Sequence, residues 1–167
     1  MKMKVLFGSD HAGFELKNKL LAYVRDELGY EVEDFGAYEL DLDDDYPDFI
    51  APVAGRVGAE PEATRGIVLG GSGQGEAIVA NKFPGVRAVV YYYGESRTKT
   101  AGEPNGDERS TITLSRTHND ANVLALGARF LDEAAAKAAV KLWLETPFSG
   151  EERHKRRLKK LSDLERS

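Results

Sequence analysis

Short apolar runs recur along the chain, and each is followed by a turn of glycine or polar residues. The runs are rich in β-branched and aromatic residues, which favour strands. Most are uniformly apolar rather than alternating, as is typical of strands buried on both faces of a sheet. The pattern predicts five strands, over residues 4–10, 31–36, 65–71, 85–93 and 123–129.

The segments between these runs carry apolar residues at helical spacing. In the first of them, Leu20, Val24 and Leu28 share one helical face, and Gly29 ends the pattern. Pro47 suits the first turn of a second helix. The pattern predicts helices over residues 13–30, 46–58, 113–122, 132–146 and 150–165, and a short helix that begins near Glu76.

Strands that alternate with helices predict an α/β fold, in which a parallel sheet is covered on both faces. In such sheets, ligands bind beyond the carboxyl ends of the strands. This rule points to the loops that begin at Ser9, Gly70, Tyr92 and Gly127. With 167 residues the chain has the length of one domain, and we expect residues 1–167 to form a single one.

Residues 93–112 interrupt this rhythm with the polar stretch YGESRTKTAGEPNGDERSTI. The stretch exceeds the roughly 12–15 residues at which unstructured loops become uncommon in compact domains. A solvated surface insertion is the preferred interpretation. Because the stretch leaves a strand at its carboxyl end, a lid or a substrate-selecting loop is the alternative.

The composition narrows the classes of function. The chain has no cysteine, which excludes disulfides, thiolate metal sites and a cysteine nucleophile. Its net charge of -5 argues against a general nucleic-acid-binding protein, because that affinity comes from neutralising phosphates. The chain has no apolar run of about 18 residues and no pattern of a secretory signal. We therefore expect a cytoplasmic protein without nucleic-acid or membrane partners.

The stretch LGGSGQGEAIVANK, residues 69–82, places four glycines directly before a helix. It matches neither common nucleotide-binding fingerprint, because no lysine follows its final glycine and Glu76 interrupts the dinucleotide spacing. Glycines let backbone N–H groups turn toward a bound oxygen, and a helix N-terminus adds partial positive charge. The loop therefore suits a phosphate, or an oxyanion such as an enediolate.

Glu76 taken alone has a simple explanation, because an acidic residue in a first helical turn interacts favourably with the helix dipole. Titratable residues at other loops suggest a catalytic role instead. Asp10 and His11 follow the first strand, although Asp10 could be an ordinary N-cap and His11 an ordinary surface residue. With His118 and Asn119 in RTHNDAN, two of the three histidines fall in loops at sheet ends.

The basic segment EERHKRRLKK contains the third histidine, and its simplest interpretation is a solvated helix face. Arg153 and Arg157 are four residues apart and share one face of that helix. Such a pair can hold a phosphate dianion through fork-like hydrogen bonds. Nucleic acid is an alternative ligand, but the run is short and the chain acidic, so a small phosphate is preferred.

Four motifs in order resemble those of the type B ribose-5-phosphate isomerases and the related galactose-6-phosphate isomerase subunits: GSDHAG, DYPD, GGSGQGEAIVANKFPGVRA and RTHNDANVLALGAR. The similarity runs from about Lys4 to the C-terminal helix, and residues 93–112 depart from it. The resemblance implies a Rossmann-like three-layer sandwich with a five-stranded parallel sheet, and a C-terminal helix that extends to a partner subunit. It also implies a homodimer, or a tetramer, whose active sites draw residues from both subunits.

The resemblance further implies an aldose–ketose isomerase that uses neither a metal nor an organic cofactor. The expected substrates are ribose 5-phosphate and ribulose 5-phosphate, interconverted through a cis-enediolate. Many members use a cysteine before the glycine loop as the base, but that position is Gly70 here. A second branch uses a glutamate at the end of the loop, and Glu76 matches it.

Carried over to this chain, the resemblance assigns Glu76 as the base that moves the proton between C1 and C2. Asp10 and His118 would help to open the sugar ring, with Asn119 assisting. The backbone N–H groups of residues 71–75 would form the oxyanion hole. Burial would tune Glu76 by raising its pKa toward neutrality, whereas the adjacent helix N–H groups would oppose that change.

The resemblance divides the remaining residues between the sugar and its phosphate. The phosphate is expected at Arg129, Arg153 and Arg157, with His11 nearby. Contacts with the substrate are expected from His11, Tyr46, Gly71, Ser72, Gly73, Gly75 and Asn119. His154 lies among the arginines and receives no role.

Two other hypotheses stay open. Because residues 93–112 depart from the family near the expected pocket, another sugar phosphate of four to six carbons is an alternative substrate. A non-catalytic phosphosugar-binding module is an alternative function. It would need the arginines and the glycine loop but not Glu76.

Overall fold

A five-stranded parallel sheet forms the centre of the molecule, as the apolar runs predicted. In the computed structural model, which describes residues 3–91 and 110–165, every neighbouring pair of these strands is parallel. The strands are β1 Lys4–Ser9, β2 Glu31–Asp34, β3 Thr64–Gly70, β4 Ala88–Tyr91 and β5 Val123–Gly127. Their order across the sheet is β2-β1-β3-β5-β4.

Helices cover both faces of the sheet. They are α1 Phe14–Asp26, α2 Tyr46–Ala59, α3 Gln74–Ala80, α4 Thr111–Thr117, α5 Glu133–Glu145 and α6 Glu152–Leu164. The apolar residues of α1, α4 and α5 form one core with the sheet, and those of α2 and α3 form the other. The fold is therefore the predicted Rossmann-like three-layer α/β sandwich.

The uniformly apolar strands follow from this double coverage. In β1, Val5 and Phe7 face the core under α1 and α5, whereas Leu6 faces the core under α2 and α3. All three side chains are fully buried. Because successive side chains of a strand point to opposite faces, a strand with helices on both sides must be apolar at every position.

The strand order reverses direction between β1 and β3. From β1 the chain first adds β2 on one side, and β3 then pairs on the other side. Parallel α/β sheets bind ligands in the crevice at such a reversal, beyond the carboxyl ends of the strands. Ser9 of β1 is opposite Leu69 of β3, so the residues that follow both strands meet in this crevice.

The boundaries of α4 differ from the prediction. The helix was expected over residues 113–122, but it begins at Thr111 because the Ser110 hydroxyl accepts a hydrogen bond from the Thr113 N–H at 3.0 Å. Ile112, which was expected to lie in the insertion, is buried in the core. Residues 92–109, and with them most of the predicted insertion and the end of the fourth predicted strand, lie outside the described residues.

The predicted start of α3 near Glu76 is two residues late, because the helix begins at Gln74. Glu76 therefore belongs to the first turn of the helix. No helix in residues 3–91 and 110–165 is both long and apolar enough to cross a membrane.

Candidate active site

Asp10 closes the turn that joins β1 to α1. Its Oδ1 accepts hydrogen bonds from the N–H groups of Ala12 at 3.0 Å and Gly13 at 3.2 Å. The capping interpretation is wrong, because the N-cap of α1 is Gly13 and receives no side-chain cap; Asp10 instead organises the turn that precedes the helix. The carboxylate is also almost fully buried and acts electrostatically on Glu76. Asp10 therefore lies in the crevice as well as in this turn.

The glycine loop follows β3 and ends in α3. Gly73, the N-cap of α3, has a φ of 78°, in the left-handed region that favours glycine. A Cβ at this position would also lie 3.1 Å from the backbone carbon of Leu126. Among the described residues, the N–H groups of Ser72 and Gly73 have no hydrogen-bond acceptor. These two N–H groups are available to an oxygen of a ligand.

Glu76 turns back from α3 toward the end of β3. Its side chain is buried, with 4% of the residue exposed. A Cβ added to Gly70 would overlap the Glu76 carboxylate. The carboxylate therefore fills the space that a side chain at residue 70 would need, and the glycine at this position is a condition for the placement of Glu76.

Burial raises the pKa of Glu76 above the ordinary value of a glutamate. The Glu76 backbone N–H opposes this rise, and the negative charge of Asp10 adds to it. Desolvation is the largest of these causes, which answers the question that the sequence left open between burial and the helix N–H groups. A carboxylate of raised pKa is a better match for proton transfer near neutral pH.

Two side chains lie directly against the glycines of the loop. A Cβ on Gly71 would lie 3.2 Å from Cζ of Arg129, and one on Gly75 would lie 2.8 Å from Cζ of Tyr46. Side chains at residues 71 and 75 would therefore displace the guanidinium and the phenol. The glycines therefore allow both of these groups to lie next to the loop.

His11 is paired with an aspartate that the sequence analysis did not single out. Its Nδ1 lies 2.6 Å from Oδ1 of Asp44, and its backbone N–H donates to the same oxygen at 3.1 Å. This hydrogen bond is the largest cause of a raised pKa for His11. The three aspartates before Tyr46 were visible in the sequence, but no local pattern joins one of them to a residue 33 positions earlier.

The same region contains a group of side chains that could hold a metal ion. One potential ligand atom from each of Asp10, His11 and Asp44 lies within 4.8 Å of the others. The Nδ1 of His11 already shares a hydrogen bond with Asp44, so a cation would have to compete with that proton.

His118 and Asn119 lie at the opposite end of the strands from Glu76. His118 ends α4, which returns from the carboxyl end of β4 toward its amino end. Arg87, directly before β4, donates a hydrogen bond to the carbonyl of Asn119 at 2.9 Å. Because β3 is 7 residues long, the amino and carboxyl ends of the strands are roughly 20 Å apart.

The start of α6 packs against the end of α4. The rings of His118 and His154 have centroids 4.2 Å apart, and Nδ1 of His154 lies 2.8 Å from the Ser149 hydroxyl. His154 is only 1% exposed. Burial lowers the pKa of His118, and His154, Arg153 and Arg157 lower it further. His154, which the sequence analysis left without a role, therefore contributes to the environment of a predicted site residue.

The predicted site residues thus fall into two clusters in a single chain. The first, here the glycine-loop cluster, comprises Asp10, His11, Tyr46, Gly71, Ser72, Gly73, Gly75, Glu76 and Arg129. The second, here the C-terminal cluster, comprises His118, Asn119, Arg153, His154 and Arg157. The structure does not bring the two clusters together, and Arg129 is separated from the other two predicted phosphate-binding arginines.

Comparison with known proteins identifies the family. The model of the family described as Ribose/Galactose Isomerase matches residues 5–106 and 105–161 of this chain. The chain belongs to the ribose/galactose isomerase family. Its match therefore includes the glycine-loop cluster and most of α6.

Relatives within the ribose/galactose isomerase family align over almost their whole length. Ribose-5-phosphate isomerase B of Mycolicibacterium paratuberculosis is 41% identical over 165 residues, which are 99% of this chain and 93% of the relative. Ribose-5-phosphate isomerase B of Escherichia coli is 39% identical over 162 residues, covering 97% and 96% of the two chains.

Solved structures agree with these relatives. The crystal structure of ribose-5-phosphate isomerase B from Mycoplasma genitalium, with bound ribulose 5-phosphate, superposes with a TM-score of 0.85 at 31% identity. The alignment covers 100% of this chain and 99% of that one. The enzyme from Clostridium thermocellum superposes with a TM-score of 0.81 at 39% identity over 98% of both chains.

Proposed function

We propose that this chain is an aldose–ketose isomerase that interconverts ribose 5-phosphate and ribulose 5-phosphate. The names of its relatives and the bound ribulose 5-phosphate of the Mycoplasma genitalium enzyme support this substrate. In the chain itself, one observation carries the chemistry. A buried carboxylate of raised pKa, that of Glu76, lies beside a glycine loop with unused N–H groups.

The proton transfer needs a single base. Glu76 takes the proton from C2 of the open-chain aldose. The electrons of that C–H bond form the C1=C2 double bond, and the π electrons of the carbonyl move to the oxygen on C1. The product is a cis-enediolate, whose negative oxygen accepts hydrogen bonds from the loop N–H groups. Glu76 then returns the proton to C1, which gives the ketose. In the same step the proton of the C2 hydroxyl moves to the oxygen on C1, so that C2 becomes the carbonyl carbon.

Ring opening precedes this transfer, because the furanose form has no carbonyl group. It requires that a proton leave the anomeric hydroxyl and that another reach the ring oxygen. Asp10 and His118 would be the groups that take up the first proton and supply the second. Asp10 lies next to Glu76, but within the same chain His118 lies at the other end of the strands.

The separation of the two clusters supports an active site shared between two subunits. The C-terminal cluster of one subunit would complete the glycine-loop cluster of the other, so that Arg153 and Arg157 of the partner subunit face Arg129. A two-fold symmetric dimer forms two such sites at once. We propose this homodimer, and a tetramer built from it.

The surface of α6 is suited to this role. Leu161 and Leu164 are three residues apart on the helix and are 47% and 71% exposed. Contact with a partner would remove this apolar surface from water. The extension of α6 to a partner, a cytoplasmic location and a single domain over residues 1–167 stay predictions.

Glu76→Gln tests the proposed base directly. We expect turnover of ribose 5-phosphate to fall by about 1,000-fold, because the amide cannot accept the proton. Calorimetry should find that the variant still binds ribose 5-phosphate, since the loop and the arginines are intact. Glu60→Gln, at the exposed end of α2, makes the same chemical change elsewhere and should leave turnover unchanged. Near-normal turnover in Glu76→Gln would refute the proposed base.

A substrate panel separates the remaining hypotheses. Turnover would be measured for phosphorylated aldoses and ketoses of four to six carbons, with ribose 5-phosphate expected to be the best substrate. A higher kcat/KM for another member would replace ribose 5-phosphate as the proposed substrate. Binding without turnover of any of them would favour the phosphosugar-binding module, although the burial of Glu76 argues for catalysis.

A further inference from the structure

The acidic loop before α2 contacts the turn after β1 through one aspartate. Oδ1 of Asp44 lies 2.6 Å from Nδ1 of His11 and accepts the His11 backbone N–H at 3.1 Å. The Asp44 side chain is only 7% exposed. A single carboxylate oxygen thus bridges the ring and the main chain of the same residue, which restricts rotation of the imidazole.

This contact determines what the rest of the ring can do. With Nδ1 directed at the carboxylate, Nε2 is the ring nitrogen left for a ligand. The oxygens of a phosphate dianion only accept hydrogen bonds, so Nε2 must carry a proton to bind one. His11 meets this condition only when both ring nitrogens are protonated and the ring is a cation.

The charges around His11 favour that cation on balance. Asp44 and Asp10 are the anionic groups that act on the ring, and Arg129 is the cationic group that opposes them. The hydrogen bond to Asp44 is the largest influence, and it outweighs the desolvation of the partly exposed ring. Arg129 itself lies against Gly71 of the glycine loop and is close enough to His11 to act on its charge.

The second oxygen of Asp44 argues for a role beyond stability. Oδ2 is buried and has no hydrogen-bond partner among the described residues. An unsatisfied buried carboxylate oxygen destabilises a fold. The residue therefore adds less to stability than a fully paired aspartate would, and a contribution to the site accounts for its position better.

We propose that Asp44 is a positioning residue, which orients His11 and holds it as a cationic hydrogen-bond donor for the phosphate of the substrate beside Arg129. Asp44 acts through His11 and does not itself contact the substrate. The role of a phosphate rests on the proposed function. The pairing of the two side chains does not, so the two claims can fail separately.

Titration of the histidines tests the pairing without any turnover. The chain has three histidines, so nuclear magnetic resonance of 15N-labelled imidazoles can follow each one. In the wild type we expect His11 to titrate above the ordinary pKa of histidine. Asp44→Asn should lower this pKa. Asp43→Asn, one residue away on an exposed side chain, changes the net charge equally and should leave it unchanged.

Kinetics test the consequence for the substrate. In Asp44→Asn we expect KM for ribose 5-phosphate to rise about tenfold above neutral pH, where His11 loses its extra proton, and to change little near pH 6. The effect on kcat should be smaller, since Glu76 is untouched. In a His11→Asn background, Asp44→Asn should have little further effect, because residues that act through one another are not additive.

Two results would overturn the inference. One is a wild-type His11 that titrates at or below the ordinary pKa of histidine, which holds even if the variants fail to fold. The other is an Asp44→Asn variant whose KM profile over pH matches that of Asp43→Asn. Wild-type protein that pairs His11 with Asp44 but turns over no phosphosugar would instead contradict the proposed function.

Discussion

At the scale of single residues, Gly70 and Glu76 form a pair in which each explains the other. The carboxylate of Glu76 occupies the place where a side chain at residue 70 would begin. A base on the strand end and a base on the helix therefore exclude each other at this site. Gly70 provides no base at the end of β3, and because it has no side chain it leaves room for the Glu76 carboxylate.

Gly70→Ala should inactivate the enzyme while leaving Glu76 in the chain. The added methyl group would displace the carboxylate, so we expect kcat/KM to fall by about 100-fold, within the range of a misplaced base. Gly55→Ala is the matched control, because its Cβ would meet only Phe83, at 3.6 Å. Wild-type kcat/KM in Gly70→Ala would show that Glu76 acts from a different position.

The raised pKa of Glu76 also predicts how stability varies with pH. A carboxyl group that holds its proton more tightly in the folded state favours folding at low pH, and this contribution is lost as pH rises from the unfolded pKa through the folded one. Glu76→Gln removes that dependence. The free energy of unfolding of the variant, relative to wild type, should therefore increase between pH 4 and pH 7.

Denaturant titrations at several pH values and equal protein concentration measure this difference. Glu60→Gln again serves as the control, because its side chain lies on the surface. A constant difference between Glu76→Gln and wild type over this pH range would contradict the effect of burial on Glu76.

At the scale of elements, the packing of α6 on α4 sets the environment of His118. The buried ring of His154 lies against His118, and Ser149 fixes its orientation. His154→Gln removes a titratable ring and part of the burial, and both of these lower the pKa of His118. We expect that pKa to rise in the variant, as measured by imidazole resonances.

Lys155→Gln provides the comparison for this variant, since Lys155 is the next residue and is exposed. It also removes a positive charge from the same helix turn. An equal change of the His118 pKa in both variants would assign the effect to the general charge of α6 rather than to His154.

The elements themselves could be read from the sequence because their signals are local. Short runs rich in apolar residues, most of them uniformly apolar, located the strands, and helical spacing located the helices to within a few residues. The end of α4 was predicted at residue 122 but lies at Thr117. Asp120 then has a positive φ of 44°, and it is in contact with Arg87, 33 residues earlier in the chain. A pattern within a short stretch of sequence does not show such a distant contact.

The candidate site was predictable in its parts but not in its arrangement. Motifs identified Asp10, Glu76 and His118 one by one. Their distribution over the two ends of the strands follows from the direction of α4. The pairing of His11 with Asp44 joins two distant segments of the chain. Neither fact has a signature within a short stretch of sequence.

At the scale of the whole molecule, the fold separates Glu76, the proposed base, from the C-terminal cluster that it is proposed to work with. Because all the strands are parallel, their carboxyl ends lie at one end of the sheet. A helix that returns from a strand finishes at the other end. One subunit therefore presents Glu76 on one side and the C-terminal cluster on the opposite side. The central claim is that a catalytic site needs one side from each of two subunits.

A heterodimer of two inactive variants tests this claim most directly. Glu76→Gln and His118→Asn subunits would be produced together with different tags, and dimers that carry both tags would be isolated. Such a dimer has one site with both wild-type residues and one with neither, so we predict about half of the wild-type turnover per dimer. A heterodimer as inactive as its two parent homodimers would contradict the shared site.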